Sequence, residues 1–298
     1  MSFHGMIVGG LLVGSLFAAI AVGFALIWGV VDIINLAHGE MVMLGGYTSY
    51  WAVQFAGGGD AVSVPLALGT VGLAVGVVFV IGYLLQRLLV RQVTDESLFL
   101  TLLATFGLSI ALQGLALRLF TPTPRTTPVN AGDSLILGDV VVPRLRLLGF
   151  AGAIVLTVLL WLFLMRTRRG RAIRAVAQNP RSAELVGIDV EHTRAITFGL
   201  SSAIAGGAGA FLGMVPGFAI RPQMGLIYTL KSFVIVVFGG IGSIPGALIG
   251  GLGLGTVEEA TATFLGSTWT LAVSFGLLVV LLIVMPRGLF GQATEAEA

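Results

Sequence analysis

The chain contains no cysteine and a single lysine, and only 10% of its 298 residues carry a charged side chain. Without cysteine there are no disulfides, thiolate metal sites or thiol nucleophiles. Charge this sparse, against roughly 25% in a soluble domain, excludes a water-dissolved globule. The lone Lys231 follows Leu230. A Walker A loop needs glycine there so that the backbone can wrap phosphate, so this chain is not expected to hydrolyse ATP. The three histidines, His4, His38 and His192, lie far apart, and neither HExxH nor GxSxG occurs. No catalytic residue, metal site or cofactor is expected in the chain itself. A net charge of +2 gives no reason to expect a nucleic-acid partner.

What is present is apolar. Hydrophobic residues make up 56% of the chain, and the mean hydropathy is +1.02. Apolar runs of about 20 residues recur, the length that crosses a hydrocarbon core of about 30 Å. They are continuous, where the strands of a membrane barrel alternate, so they read as helices. The expected fold is an all-α polytopic transmembrane bundle with membrane segments near 7–30, 34–56, 62–86, 98–120, 147–165, 195–215, 227–257 and 268–285. The first run has no positive residues ahead of it and outgrows a signal-peptide core, so it reads as a mature helix. Trp28, Trp51, Trp161 and Trp269 fall near segment ends, as interfacial tryptophans do. Many of the 43 glycines lie inside apolar segments. Spacings such as Gly10/Gly14, Gly209/Gly213, Gly246/Gly250 and Gly251/Gly255 have the small-xxx-small form of close helix packing.

Arginine sets the expected orientation. Residues 166–194 hold seven of the sixteen basic residues, among them Arg166, Arg168 and Arg169. By the positive-inside rule this loop is cytoplasmic. Arg87 and Arg91 put the loop after the third segment on the same side, and residues 121–146 are then external, with a small hairpin in SLILGDVVVPRL. Arg287 asks for a cytoplasmic C-terminus, which leaves the N-terminus external. Within 166–194, Asn179-Pro180 divides two short helices, the second running through RSAELVG to Gly187. A helix–turn–helix is more than orientation requires, and it reads as a docking surface for a cytosolic partner.

Two stretches interrupt the apolar runs. GGIGSIPG (239–246) breaks the seventh segment, because Pro245 removes a backbone donor and the glycines loosen the helix. Two half-helices or a re-entrant hairpin are expected, with Gly239, Gly240, Gly242, Ser243, Pro245 and Gly246 at the break, as in the broken helices that line transporter pathways. In NLAHGEMVMLGGY (35–47), isolated charges are costly at the bilayer centre. Asp32 and Asn35 are expected to cap the second helix at the cytoplasmic side, and His38 and Glu40 to make inter-helix contacts near the pathway.

VVDIINLAHGEMVMLGGY, the loop RAVAQNPRSAELVGIDVEHTRAITFGLSSAIAGGAGAFLG, the run LKSFVIVVFGGIGSIPGALIGG and the ending MPRGLFG together resemble the permeases of branched-chain amino acid ABC importers, of the LivH type. The resemblance runs in order over nearly the whole chain. It implies one permease domain over 1–298, multi-pass in a bacterial or archaeal inner membrane. It also implies a second permease of the LivM type, two cytosolic ABC ATPases that bind ATP and Mg, and an external substrate-binding protein. The loop 166–194 would then hold the coupling helix, with Arg174, Asn179, Pro180, Ala183, Glu184, Gly187 and Ile188 as its contact residues. Only Ala183, Glu184 and Gly187 echo the family's Glu-Ala-Ala-like pattern. Transport by alternating access of branched-chain or other hydrophobic amino acids is the implied function, with urea or short amides as the alternative substrate. An ion-coupled secondary transporter is the competing class, since Asp32, Glu40 and Glu258 are acidic residues in or beside membrane segments.

Overall fold

A helix satisfies its backbone polar groups internally, so continuous apolar runs in this chain fold as helices. The computed structural model describes residues 3–57, 60–94, 96–138, 140–285 and 288–289; Pro286, Arg287, Phe290 and Gly291 of the MPRGLFG ending lie outside the described residues. The helices are α1 (Phe3–Val31), α2 (His38–Gly57), α3 (Val64–Leu88), α4 (Leu98–Phe120), α5 (Arg144–Arg166), α6 (Arg168–Gln178), α7 (Pro180–Leu185), α8 (Val190–Met214), α9 (Met224–Gly239), α10 (Ile244–Phe264) and α11 (Thr270–Val284). All eight expected segments are helical, the seventh divided into α9 and α10. Among the described residues six helices are each long and apolar enough to cross a membrane, and the bent pair α9–α10 makes a seventh span if counted as one. The 20-residue α2, which carries His38 and Glu40, is not among them. The chain is a polytopic membrane bundle.

Its centre is α1 and α8, whose most apolar windows are 94% buried, whereas those of α4 and α11 are 17% and 11% buried. Small residues bring the central helices together. A methyl built on Gly10 or Gly14 overlaps the backbone of α10 near Thr256 or Gly251, and one built on Gly251 or Gly255 overlaps α1 at Ala18 or Gly14. In the same way Gly45 meets Gly206, and Gly209 meets the carbonyl of Val42, where α2 crosses α8. All four glycine spacings seen in the sequence therefore lie at contacts within the chain. At one end of the bundle Glu259 of α10 pairs with Arg146 of α5 at 3.2 Å, in the space that Gly9 leaves beside α1.

The expected hairpin is present as β3 (Leu135–Leu137) and β4 (Val140–Val142), antiparallel with Leu135 opposite Val142. β1 (Val62–Ser63) pairs in parallel with β2 (Val129–Asn130). The segment between α8 and α9 is pinned there too, through reciprocal backbone hydrogen bonds between Arg125 and Ile220. At the opposite, arginine-rich end, α5 passes into α6 at Thr167, whose hydroxyl accepts from Gly170 N as an N-cap.

Candidate functional site

The stretch NLAHGE does not start a helix at the end of α1. Asp32 adopts a left-handed φ of +58°, and its N–H donates to Trp28 O, so it closes α1 and its exposed side chain caps nothing in α2. This corrects the expectation for Asp32. The chain then runs back alongside α1. Asn35 accepts from Ala37 N at 3.0 Å with its side chain and from His38 N at 3.1 Å with its carbonyl, so Asn35 does prepare the start of α2. His38 is fully buried, its Nε2 lies 2.9 Å from the carbonyl oxygen of Ile20, and its ring packs edge-on against Phe24. Ile20 stands eleven residues before the end of α1, roughly 16 Å along the axis at 1.5 Å per residue. The first turn of α2 therefore sits level with the middle of α1, not at a helix-end surface.

Helix α9 also begins at this depth. Gly39 packs on the carbonyl of Gly225, Gly39 N donates to Thr229 Oγ1 at 2.8 Å, and that hydroxyl reaches Leu36 O at 3.2 Å. Glu40 is 1% exposed. Its Oε1 accepts from Ser109 Oγ of α4 at 2.9 Å, while Oε2 has no hydrogen-bond partner and lies against Gly225 in the first turn of α9. The N-cap residue Gln223 gives α9 no side-chain cap, so a carboxylate at this end meets the positive pole of the helix. His38 and Glu40 thus both make contacts between helices.

The break at 239–246 is built differently from its sequence expectation. Gly240 and Gly242 take φ values of +96° and +76°, which L side chains rarely adopt. Ser243 then caps α10 by accepting from Gly246 N at 3.1 Å, and Pro245 occupies the first turn. A missing N–H has no consequence in that turn. The proline follows the break and does not cause it; the glycines do. α9 and α10 meet at 117°, with Gly239 and Gly246 in backbone contact. Both expected forms, a broken span and a re-entrant hairpin, have such a bend.

The loop 166–194 forms the expected helix pair. Asn179 caps α7 through Ser182 N at 2.9 Å, and Pro180 is its first residue. Gly187, at φ +83°, ends it: Gly187 N bonds Glu184 O and Ile188 N bonds Ala183 O, the paired bonds of a Schellman motif. Ala183 is buried and Glu184 exposed, and Leu185 and Val186 at the tip are 88% and 76% exposed. α6 and the α9–α10 break, 68 residues apart between Arg174 and Gly242, face one cavity. Arg174 and Ile173 of α6 line one largely apolar cavity of about 150 Å³ together with Trp161, Gly29, Gly242 and Ile244.

Sequence reasoning passed over several residues of this site. Ser109 and Thr229 look like ordinary helix hydroxyls, and only the fold places them on Glu40 and Gly39. Leu185 and Val186 sit inside a motif read for Ala183, Glu184 and Gly187. Lys231 served only to exclude a phosphate loop, yet it pairs with Glu258 at 2.6 Å; a lone cation in an apolar run was the available signal. Among the described residues no three His, Cys, Asp or Glu side chains converge to hold a metal ion.

Comparison with known proteins agrees with this architecture. The family described as "Branched-chain amino acid transport system / permease component" matches residues 6–282. The high-affinity branched-chain amino acid transport system permease protein BraD of Pseudomonas aeruginosa is 34% identical over 292 residues, 96% of this chain and 95% of BraD. LivH of Escherichia coli, a permease protein of the same description, is 34% identical over 95% of this chain and 94% of its own length. The fructose import permease protein FrcC of Rhizobium meliloti is 32% identical over 47% of this chain and 40% of its own. No solved structure matches.

Proposed function

The chain belongs to the family of branched-chain amino acid transport permease components, a membrane transport component and not an enzyme, and on that premise we propose that it forms the membrane pathway of an ATP-driven importer of branched-chain or other hydrophobic amino acids. The observation that carries the energy-coupled reading is the tip of α7. A six-residue helix capped by Asn179 and closed at Gly187 holds Leu185 and Val186 almost wholly in solvent. Two exposed aliphatic side chains on a firmly capped projection suit docking, and the surrounding arginines support a cytoplasmic side for that end.

On this reading two cytosolic ATPases bind ATP and Mg and dock on α6–α7, a second permease of the LivM type completes the pathway, and an external binding protein delivers substrate. The residues Arg174, Asn179, Pro180, Ala183, Glu184, Gly187 and Ile188 position the docking helix. The break and the mid-depth helix starts, with Asn35, His38 and Glu40, lie along the pathway. Arg174 of α6 and Gly242 of the break line one cavity, and on this reading a shift of α6 is relayed to the break. Close small-residue packing permits the rigid-body shifts that alternating access needs. The location is a bacterial or archaeal inner membrane.

The test is co-expression with ATPases, a second permease and a binding protein of the branched-chain amino acid importer type from the same genome, followed by reconstitution into proteoliposomes. ATP-dependent uptake of L-leucine is the expected result. Uptake of urea alone would move the reading to the urea and amide importers. Uptake by this chain alone, driven by an ion gradient, overturns it.

A further inference from the structure

Lys231 stands in the middle of apolar α9, and its Nζ lies 2.6 Å from Oε2 of Glu258 on α10; both side chains are 11% exposed. Ser274 Oγ of α11 donates to the other carboxylate oxygen at 2.8 Å. The ammonium also faces aromatic rings, 4.3 Å from the centre of Phe17 and 5.8 Å from that of Tyr228. An ion pair inside an apolar bundle is expensive to desolvate and often adds nothing over well-packed apolar residues. In membrane segments such charges generally mark substrate or ion pathways.

One turn toward the arginine-rich end, the same three helices line a partly open apolar cavity of about 130 Å³, with Val234, Ile235, Phe238, Leu254, Leu277 and Leu281 around it. Lys231 is three and four residues from Val234 and Ile235, Glu258 four from Leu254, and Ser274 three from Leu277. These spacings put the polar cluster and the cavity on one face of each helix. Adjacent positive and negative charges above a small aliphatic pocket complement a zwitterion that carries a branched aliphatic side chain.

We propose that Lys231, Glu258 and Ser274 form a binding subsite for a zwitterionic amino acid, with its carboxylate on Lys231, its ammonium on Glu258 and its side chain in the α9–α11 cavity. The proposal rests on the importer reading and locates the head group within it. In the conformation described, the two charges satisfy each other. An arriving zwitterion exchanges that one internal pair for two intermolecular pairs, so neither charge is left bare inside the bundle. Ser274 holds the carboxylate in place during the exchange.

The test uses the complete transport complex in proteoliposomes and tritiated L-leucine, reading equilibrium binding without the binding protein and ATP-driven uptake with it. The double variant K231M/E258L replaces the pair by apolar side chains, an exchange that is often neutral for folding. The reversed pair K231E/E258K keeps an ion pair and inverts its direction. Both are expected to assemble with unchanged Tm and to lose L-leucine binding about 100-fold, the scale of a lost buried charge contact. On the wild type, L-leucinamide and 4-methylpentanoate, each lacking one charge, are expected to compete poorly. A third variant, Leu254→Trp, fills the cavity away from the charges and is expected to turn preference from L-leucine to L-alanine. Leucine binding that survives in either double variant, or undiminished leucine preference in Leu254→Trp, overturns the subsite and leaves the importer standing. Should the double variants fail to assemble, the Leu254→Trp preference and the two analogues decide the matter. A wild-type complex that neither binds nor imports any amino acid overturns both readings.

Discussion

Gly39 and Gly225 meet backbone to backbone, and neither has room for a side chain: a methyl on Gly39 overlaps the Gly225 carbonyl, and one on Gly225 overlaps the Glu40 carboxylate. This contact fixes the start of α2 against the start of α9, both level with the middle of α1. Gly39→Ala and Gly225→Ala are expected to destabilise the bundle by about 1–3 kcal/mol each, as overpacking does where backbone cannot yield. Size-exclusion thermal-stability assays on the detergent-solubilised protein would read this. A Tm equal to wild type in both would mean that the helices can separate here freely.

Ser109 is, among the described residues, the hydrogen-bond donor to Glu40. Ser109→Ala is expected to cost about 1–3 kcal/mol by leaving a buried acceptor unpaired. Adding Glu40→Gln should recover part of that loss, because the double variant no longer buries an unpaired carboxylate. The cycle of single and double variants, followed by graded SDS unfolding, measures the coupling. Additive losses would show that the two side chains do not act together.

The exposed tip of α7 makes a separable prediction. Leu185→Glu with Val186→Glu changes only solvent-facing side chains, so the stability of the chain should stay within about 0.5 kcal/mol of wild type. Co-purification of the ATPases should be lost. Gly187→Asp is expected to weaken docking for another reason: its φ of +83° is strained for aspartate by about 1 kcal/mol or more, which loosens the end of the helix. Pull-down yields from membranes with equal permease content check both, and normal yields would remove α7 from the interface.

At the break, Gly240→Val and Gly242→Val place β-branched side chains at positive φ, a strain on the order of 1–3 kcal/mol. A methyl at Gly242 meets only Gly29, at 3.6 Å, so the effect there is conformational and not steric. Uptake should stop while the complex still assembles. Gly242→Asn should retain more uptake than Gly242→Val, since asparagine enters the left-handed region more readily. Equal loss in both would point to crowding.

Much of this architecture is legible in the residues, and the remainder fails for identifiable reasons. Length and hydropathy mark the long apolar helices, because in a membrane those two quantities decide what can be buried. Asn179-Pro180 and Gly187 mark α7 because capping is local chemistry. Depth is not local. Nothing in DIINLA says that the chain turns back for more than a third of the length of α1 before His38, since that path is set by Ile20 O, 18 positions from His38, and by Thr229, 190 positions from Gly39. Pro245 misled for a related reason: a proline is equally at home breaking a helix and opening one, and only the φ angles of Gly240 and Gly242 distinguish the two. The partner of Lys231 was likewise hidden, because 27 residues and a 117° bend separate it from Glu258.

The glycine face of α1 carries a consequence for how the protein is made. Gly14 is synthesised roughly 240 residues ahead of its partner Gly251, about 10–50 s at ordinary rates of translation. Throughout that interval a helix destined for the centre of the bundle stands in lipid with its contact groove open. The nascent chain must therefore hold α1 unmated, near the insertion machinery or behind its neighbours, until α9 and α10 arrive to close around it. Any small-residue helix passing in that time competes for the same groove, so the order of synthesis itself becomes a determinant of correct assembly.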